Sequence, residues 1–373
     1  MLFNSIDFLV FFAFVITVSV IIKNRNFSYV FLVAVSYFFF YFSNNFLISL
    51  LIFSTVLDFY LAKEIWSTNS KSKKKRLLLI SIIGNLGLLG FFKYADFGIS
   101  QFNDLFKLIG LNEIPLLEIV LPVGISFYTF QTLGYTIDVY RGQLAPAKSF
   151  KEFALFVAFF PQLVAGPILR ASNFLPQIRE KFSQLDTKNY LKQILIQRTN
   201  LKIGLTLMSF GFFKKMFFAD NIAPFVDEIF LNPIGLDSFA IILGTIGFGI
   251  QLYCDFSGYS DIAIGAALIL GFKVPQNFNF PFFATSPAEF WRRWHISLST
   301  WVRDYVFFPM VINNKKSRLR IFSSLFTTMF LIGIWHGAGW NFVIFGIIHG
   351  LYVGIETAIR SIFPSLRNNS FLK

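Results

Sequence analysis

Long uninterrupted apolar runs leave few folds open to this chain. The stretch Phe8-Leu9-Val10-Phe11-Phe12-Ala13-Phe14-Val15-Ile16 is one of several. It shows no alternation of apolar and polar residues, so it is not a strand of a membrane barrel. Backbone polar groups cannot stay unpaired in lipid, so runs of this kind must be helical. Only 14% of residues are charged, against about 25% in a soluble domain, and Phe alone supplies 53 of 373 residues. A soluble globule, a disordered chain and a nucleic-acid binder are excluded by that balance. The single Cys254 excludes an internal disulfide and any multi-cysteine metal site. The first apolar run has no basic n-region and no small-residue cleavage site, so it reads as a retained span rather than a signal peptide.

Runs able to cross roughly 30 Å of hydrocarbon fall near 7–22, 29–42, 46–62, 77–94, 114–138, 153–169, 200–219, 238–256, 259–272, 319–336 and 340–360. The expected fold class is all-α: a polytopic helical membrane bundle with about 9–11 membrane-embedded helices, some short and tilted or re-entrant. Pro161, Gly166 and Pro167 interrupt the 153–169 run, which is expected to be re-entrant. Orientation follows the basic residues. Lys63, Lys71, Lys73, Lys74, Lys75 and Arg76 mark one cytoplasmic loop, and Lys23 and Arg25 another. Ten Lys and Arg residues lie between Arg141 and Lys202, whereas none lies from Met216 to Phe272, so that stretch should contain an external loop. The net charge of +13 is thus a topology signal. No internal repeat appears, and residues 1–373 read as a single integral membrane domain.

Function is expected where an apolar chain tolerates polar groups. Ser126, Thr129 and Gln131 lie inside the 121–138 segment; interhelical hydrogen bonding is the plain reading. Asp255 and Asp261 flank Gly258 in Tyr253-Cys254-Asp255-Phe256-Ser257-Gly258-Tyr259-Ser260-Asp261. There a helix break capped by Ser257 or Asp255 competes with a pocket wall that orients a histidine. Ser286 with Glu289 forms a capping box with Pro287 at the first helical position, so a helix starts there. Along it, Trp291, Trp294, Leu298 and Trp301 share one face, and Arg292, His295 and Ser299 another. That pattern also suits an interfacial amphipathic helix.

The three histidines are His295, His336 and His349. His336 ends an apolar run in Ile334-Trp335-His336-Gly337-Ala338-Gly339-Trp340-Asn341. From Ile321 to His336 the helix would rise about 24 Å, short of the hydrocarbon thickness, which puts His336 at membrane depth. Its flanking glycines are expected to allow close approach of a substrate. A structural, hydrogen-bonded histidine is the competing reading for each of the three. Their spacing does not suggest a metal site, since no i,i+4 histidine pair is present.

These stretches carry a resemblance. LPVGISFYTFQTLGYTIDVYRG at 121–142, FFPQLVAGPILRASNFLPQI at 159–178, GFFKKMFFADNIAP at 211–224, YCDFSGYSDIAIGAALILGFKVPQNFNFPF at 253–282, FWRRWHISLSTWVRDYVFFP at 290–309 and IWHGAGWNFVIFGIIHG at 334–350 resemble the membrane-bound O-acyltransferase (MBOAT) superfamily. The likeness is to its bacterial branch of alginate O-acetylation proteins. Those motifs look closer to the alginate and peptidoglycan acetylation group than to the D-alanyl transferases. The resemblance implies transfer of an acyl group, acetyl being the first expectation. The donor would be a cytoplasmic thioester such as acetyl-coenzyme A, and no cofactor would be bound. The acceptor would be a hydroxyl of an extracytoplasmic polysaccharide or cell-wall glycan.

His336 matches the family's invariant histidine and His295 the second conserved polar position. Arg292 and Arg293 are candidates for donor phosphates, with Asp255, Asp261, Ser126, Gln131, Trp335 and Asn341 as weaker substrate-binding candidates. The implied setting is the bacterial inner membrane, with a periplasmic SGNH-type acetyltransferase or polysaccharide-export machinery as partner. Family members usually continue beyond the second His-Gly helix, so the resemblance implies a C-terminally shortened domain. Two other classes fit membrane histidines: a transporter or flippase for an acyl or lipid carrier, and a non-catalytic scaffold for a periplasmic acetyltransferase.

Overall fold

The computed structural model describes residues 1–22, 24–183, 198–312 and 317–363, with the backbone only at Arg25. Among the described residues every regular element is helical. In chain order these are α1 (Ile6–Ile21), α2 (Arg25–Asn44), α3 (Ile48–Ser67), α4 (Lys71–Leu108), α5 (Ile125–Tyr140), α6 (Phe150–Ala158), α7 (Phe160–Leu163) and α8 (Ala171–Ser183). They continue as α9 (Arg198–Phe212), α10 (Asp220–Leu231), α11 (Ser238–Ile269), α12 (Pro287–Arg293), α13 (Ile296–Val302), α14 (Phe308–Val311), α15 (Arg318–His336) and α16 (Trp340–Ile362). Two π-helical stretches, Phe213–Ala219 and Arg303–Phe307, interrupt them. The starts follow local chemistry. Side-chain oxygens of Ser5, Asn24, Ser70, Ser149, Asp237 and Ser317 each accept an N–H of the first turn that has no intrahelical partner.

Five segments among the described residues are long and apolar enough to cross a membrane: Asn26–Ser67, Lys71–Leu108, Ser238–Ile269, Arg318–His336 and Trp340–Ile362. The helix Ile6–Ile21 is apolar but shorter. This is the polytopic helical architecture that the apolar runs require. With 38 residues, α4 is about 57 Å long, so its basic first turn can stand outside hydrocarbon.

The helix expected over 114–138 begins only at Ile125, and residues 111–122 are non-helical. The cause lies in α4. The Asp96 carboxylate accepts the N–H groups of Leu117 (2.7 Å) and Ile119 (2.8 Å), while the Asn103 amide pairs with Ile114 in both directions at 2.8 Å. Pro115 and Pro122 lack an N–H to donate. The helix break expected at 253–261 is absent, because α11 runs unbroken through both aspartates and its N-cap is Asp237.

The chain divides into two compact units, Met1–Phe59 with Leu144–Gln276 and Tyr60–Gln143 with Asn277–Lys373, so that α3 contributes to both. In the first unit a phenylalanine cluster forms the core, with Phe8, Phe39, Phe153, Phe156, Phe159 and Phe160 fully buried. The interrupted segment expected at 153–169 is here. The chain leaves helix at Phe159, and the Phe160 N–H donates to the Ser36 hydroxyl of α2 (3.3 Å). Non-helical backbone inside a membrane protein is tolerated where protein supplies such partners. In the second unit α4 packs on α5, and the Thr132 hydroxyl meets Asn85 Oδ1 at 3.2 Å. There α15 and α16 form an antiparallel pair in which Gly346, Gly350 and Gly354 lie against Phe330, Phe326 and Phe322.

Candidate functional site

All three histidines belong to the second unit. Helix α12 starts where the sequence requires. The Ser286 hydroxyl accepts the Glu289 N–H at 3.2 Å, with Pro287 in the first turn. Glu289 reaches one residue further back than a capping box asks, accepting the N–H (2.9 Å) and hydroxyl (2.8 Å) of Thr285. These two bonds, joined by the Arg293 guanidinium at 2.6 Å, hold the Glu289 carboxyl down at about 2.

The helix then stops at Arg293 and restarts at Ile296. The shared face of Arg292, His295 and Ser299 expected on one continuous helix is therefore not formed. His295 sits between the two helices in the left-handed region, φ 43° and ψ 54°. That conformation is uncommon for a side chain with a Cβ, and surrounding structure must enforce it. Asn277 does so. Its carbonyl accepts the Ile296 N–H (2.9 Å), and its side-chain oxygen accepts the Ser297 N–H (3.2 Å) and hydroxyl (2.9 Å). Asn279 N–H donates to Arg293 O at 2.9 Å, so a strand-like stretch tethers both sides of the bend. The result buries His295 to 1% exposure.

Trp335 is the ring on which the site is assembled. His295 lies 6.1 Å and His336 4.9 Å from it, centroid to centroid. Beneath it Phe130 of α5 stacks at 5.4 Å, and Phe130 in turn stacks on Trp301 at 4.3 Å. The Trp301 indole N–H donates to the Phe130 carbonyl (2.8 Å), which fixes α13 against α5. The Trp335 indole nitrogen is buried and has no hydrogen-bond partner among the described residues.

His349 plays a different part. Its Nδ1 accepts the Trp291 indole N–H at 3.3 Å, so the neutral ring carries its proton on Nε2. Phe345 lies 4.4 Å from His349 and 5.7 Å from His336. The glycines beside His336 also serve packing within the chain. A Cβ at Gly337 would overlap the Phe342 ring, and one at Gly339 would meet Asn341 Oδ1 at 2.6 Å.

The structure thus brings His336, His295 and Trp335 together. Gln131 is buried at 2% and Ser126 is half-buried on α5. Asn341 is exposed at the start of α16, and Arg292 is exposed. Arg293 is bound to Glu289. Asp255 and Asp261 belong to the first unit, where they pair with Lys215 (2.6 Å) and Lys214 (2.7 Å).

Sequence reasoning passed over Asn277, Lys93 and Tyr94. Lys93 lies well inside the apolar α4, and an ionisable residue at that place is itself a signal. Its Nζ donates to the Trp335 carbonyl and stands 5.4 Å from the Trp335 ring centre. The neighbouring Tyr94 hydroxyl donates to the Ile334 carbonyl at 2.5 Å.

The sequence profile of MBOAT, the membrane-bound O-acyltransferase family, matches residues 143–371. The chain is 40% identical over 309 residues to the "Probable alginate O-acetylase AlgI" of Azotobacter vinelandii, covering 82% of this chain and 58% of that protein. It is 36% identical over 360 residues to the peptidoglycan O-acetyltransferase of Helicobacter pylori, covering 90% and 66%. To the teichoic acid D-alanyltransferase of Streptococcus thermophilus it is 32% identical over 246 residues, covering 63% and 57%. The ranking of identities agrees with the motif-level likeness to the acetylation proteins. The aligned chain spans less than two thirds of the length of the alginate relatives.

Proposed function

The chain belongs to the membrane-bound O-acyltransferase family, and on that premise we propose that it is an O-acyltransferase of the cell envelope. In this reading it passes an acetyl group from a cytoplasmic thioester donor, such as acetyl-coenzyme A, to hydroxyls of an extracytoplasmic polysaccharide or cell-wall glycan. The observation that carries the reading is the pairing of His336 and His295 on the one Trp335 ring, at the end of an apolar span. The activities for which the relatives are named, O-acetylation of alginate and of peptidoglycan, support acetyl as the group and a glycan as the acceptor.

The chemistry needs a base, a bound thioester and a stabilised oxyanion. A neutral imidazole, with an ordinary pKa of about 6.5, suits the base role near neutral pH. His336 takes the proton of the acceptor hydroxyl as its oxygen bonds to the thioester carbonyl carbon. The carbonyl oxygen becomes the oxyanion of a tetrahedral intermediate. Collapse breaks the C–S bond, and the leaving thiolate recovers the proton from the imidazolium. His295 orients the donor carbonyl or stabilises the oxyanion. Arg292, exposed at the end of α12, supports the donor phosphates better than Arg293, which Glu289 already holds. The basic loops would face the cytoplasm of a bacterial inner membrane. A periplasmic SGNH-type acetyltransferase or polysaccharide-export machinery would be the partner on the other side.

The test is His336→Ala in membranes, with insertion checked by accessibility labelling. Acetyl transfer should fall at least about 10²-fold, the lower end of the range set by losing a general base. Transfer near the wild-type rate in a correctly inserted variant would overturn the assignment.

A further inference from the structure

We infer that Lys93 and Tyr94 are positioning residues for His336, acting as a clamp on the C-terminal carbonyls of α15. The inference rests on the proposed role of His336 as base. An α-helix leaves its last four carbonyls without intrahelical partners. At the end of α15 the chain turns directly into extended backbone at Gly337, φ −169° and ψ 163°. Two of these carbonyls, Ile334 and Trp335, instead accept from Tyr94 Oη and Lys93 Nζ, consecutive residues of α4.

This arrangement accounts for an ammonium inside an apolar span. A charge at membrane depth is costly unless protein groups replace water. Here the negative end of the α15 dipole, a carbonyl oxygen and the face of Trp335 all favour the cation. The clamp also has a direct geometric effect. The Trp335 carbonyl and the His336 N–H belong to one planar peptide group, so holding the oxygen fixes the plane from which His336 projects. The same peptide carries Trp335, the ring that His295 and His336 share. Without the clamp the last turn of α15 is free to fray, as helix ends do.

With only three histidines in the sequence, imidazole nitrogen NMR on full-length protein labelled at histidine reads the site directly. Lys93→Met should shift or broaden the His336 resonances while those of His349 stay in place, and Tyr94→Phe should do so more weakly. Resonances are assigned by His336→Ala and His349→Ala. In parallel, acetyl transfer from radiolabelled acetyl-coenzyme A is measured. Lys93→Met should lower kcat about 10²-fold, the scale of a misplacement near 1 Å, with KM for the donor within about twofold, and Lys93→Arg should recover most of the rate. A merely structural lysine would lower thermal stability and active fraction without this split and without rescue. Unchanged His336 resonances in both Lys93→Met and Tyr94→Phe would overturn the inference. If Lys93→Met does not fold, Tyr94→Phe alone decides. Transfer that survives His336→Ala overturns the reading of the base, while the NMR result still judges the clamp.

Discussion

Among the described residues each unit contains a closely packed antiparallel helix pair, and the two pairs differ in how far backbone contact extends. In the first unit α9 and α11 meet backbone to backbone. A Cβ added at Gly211 would stand 2.6 Å from the Gly258 carbonyl, and one at Gly265 would stand 2.5 Å from the Gly204 carbonyl. In the second unit α15 and α16 meet backbone to backbone near His336, where a Cβ at Gly333 would stand 2.5 Å from the Phe342 carbonyl, and further along a ring fills the gap, with Phe322 in the notch at Gly354. The polar groups follow the same division. Lys214 and Lys215, on the π-helical stretch after α9, pair with Asp261, Asp255 and Asp220. The α15–α16 pair carries His336 and His349 among aromatic rings. A contact of main chain on main chain has nothing that can yield, whereas a ring in a notch can move. Backbone contact therefore holds both glycine crossings of the first pair and, in the second, the end that carries His336.

Substitutions test that contrast. Gly211→Ala should have the largest effect, a loss of about 3 kcal/mol or more, because its neighbours include a carbonyl oxygen that cannot rotate away. The thermal unfolding midpoint in detergent measures this, and Ile262→Val added to it should not restore stability. Lys214→Met should come next. It leaves Asp261 without the ion pair at 2.7 Å, and since both side chains are about a quarter exposed the loss should be about 2 kcal/mol. A double-mutant cycle with Asp261→Asn should give a coupling above about 0.5 kcal/mol, and simple additivity would show the pair to contribute nothing. Gly354→Ala should cost least, about 1 kcal/mol, because its close neighbours are atoms of the Phe322 ring. Phe322→Leu in the same chain should recover most of that. No recovery would remove the distinction between the two pairs.

Much of this was legible in the sequence, and the gaps have identifiable physical causes. The apolar runs dictated helices, and Ser286-Pro287 with Glu289 located the start of α12. The break after Arg293 was not legible, because the atoms that stabilise it come from Asn277, distant in sequence. Gly258 suggested a break in α11, but its missing Cβ serves the approach of Gly211. Lys93, Lys214 and Lys215 are charges inside apolar runs that the sequence reading passed over. Their partners, a helix-end carbonyl and carboxylates on another helix, are set by tertiary structure alone.

The left-handed backbone at His295 has a consequence for mutagenesis. Histidine and asparagine are among the side chains most often found in that region, and alanine is not. His295→Ala therefore removes an imidazole and strains a bend in one stroke, and a lost activity would not say which mattered. His295→Asn keeps the bend while deleting the ring, and the difference between the two variants separates the chemistry of this residue from its architecture.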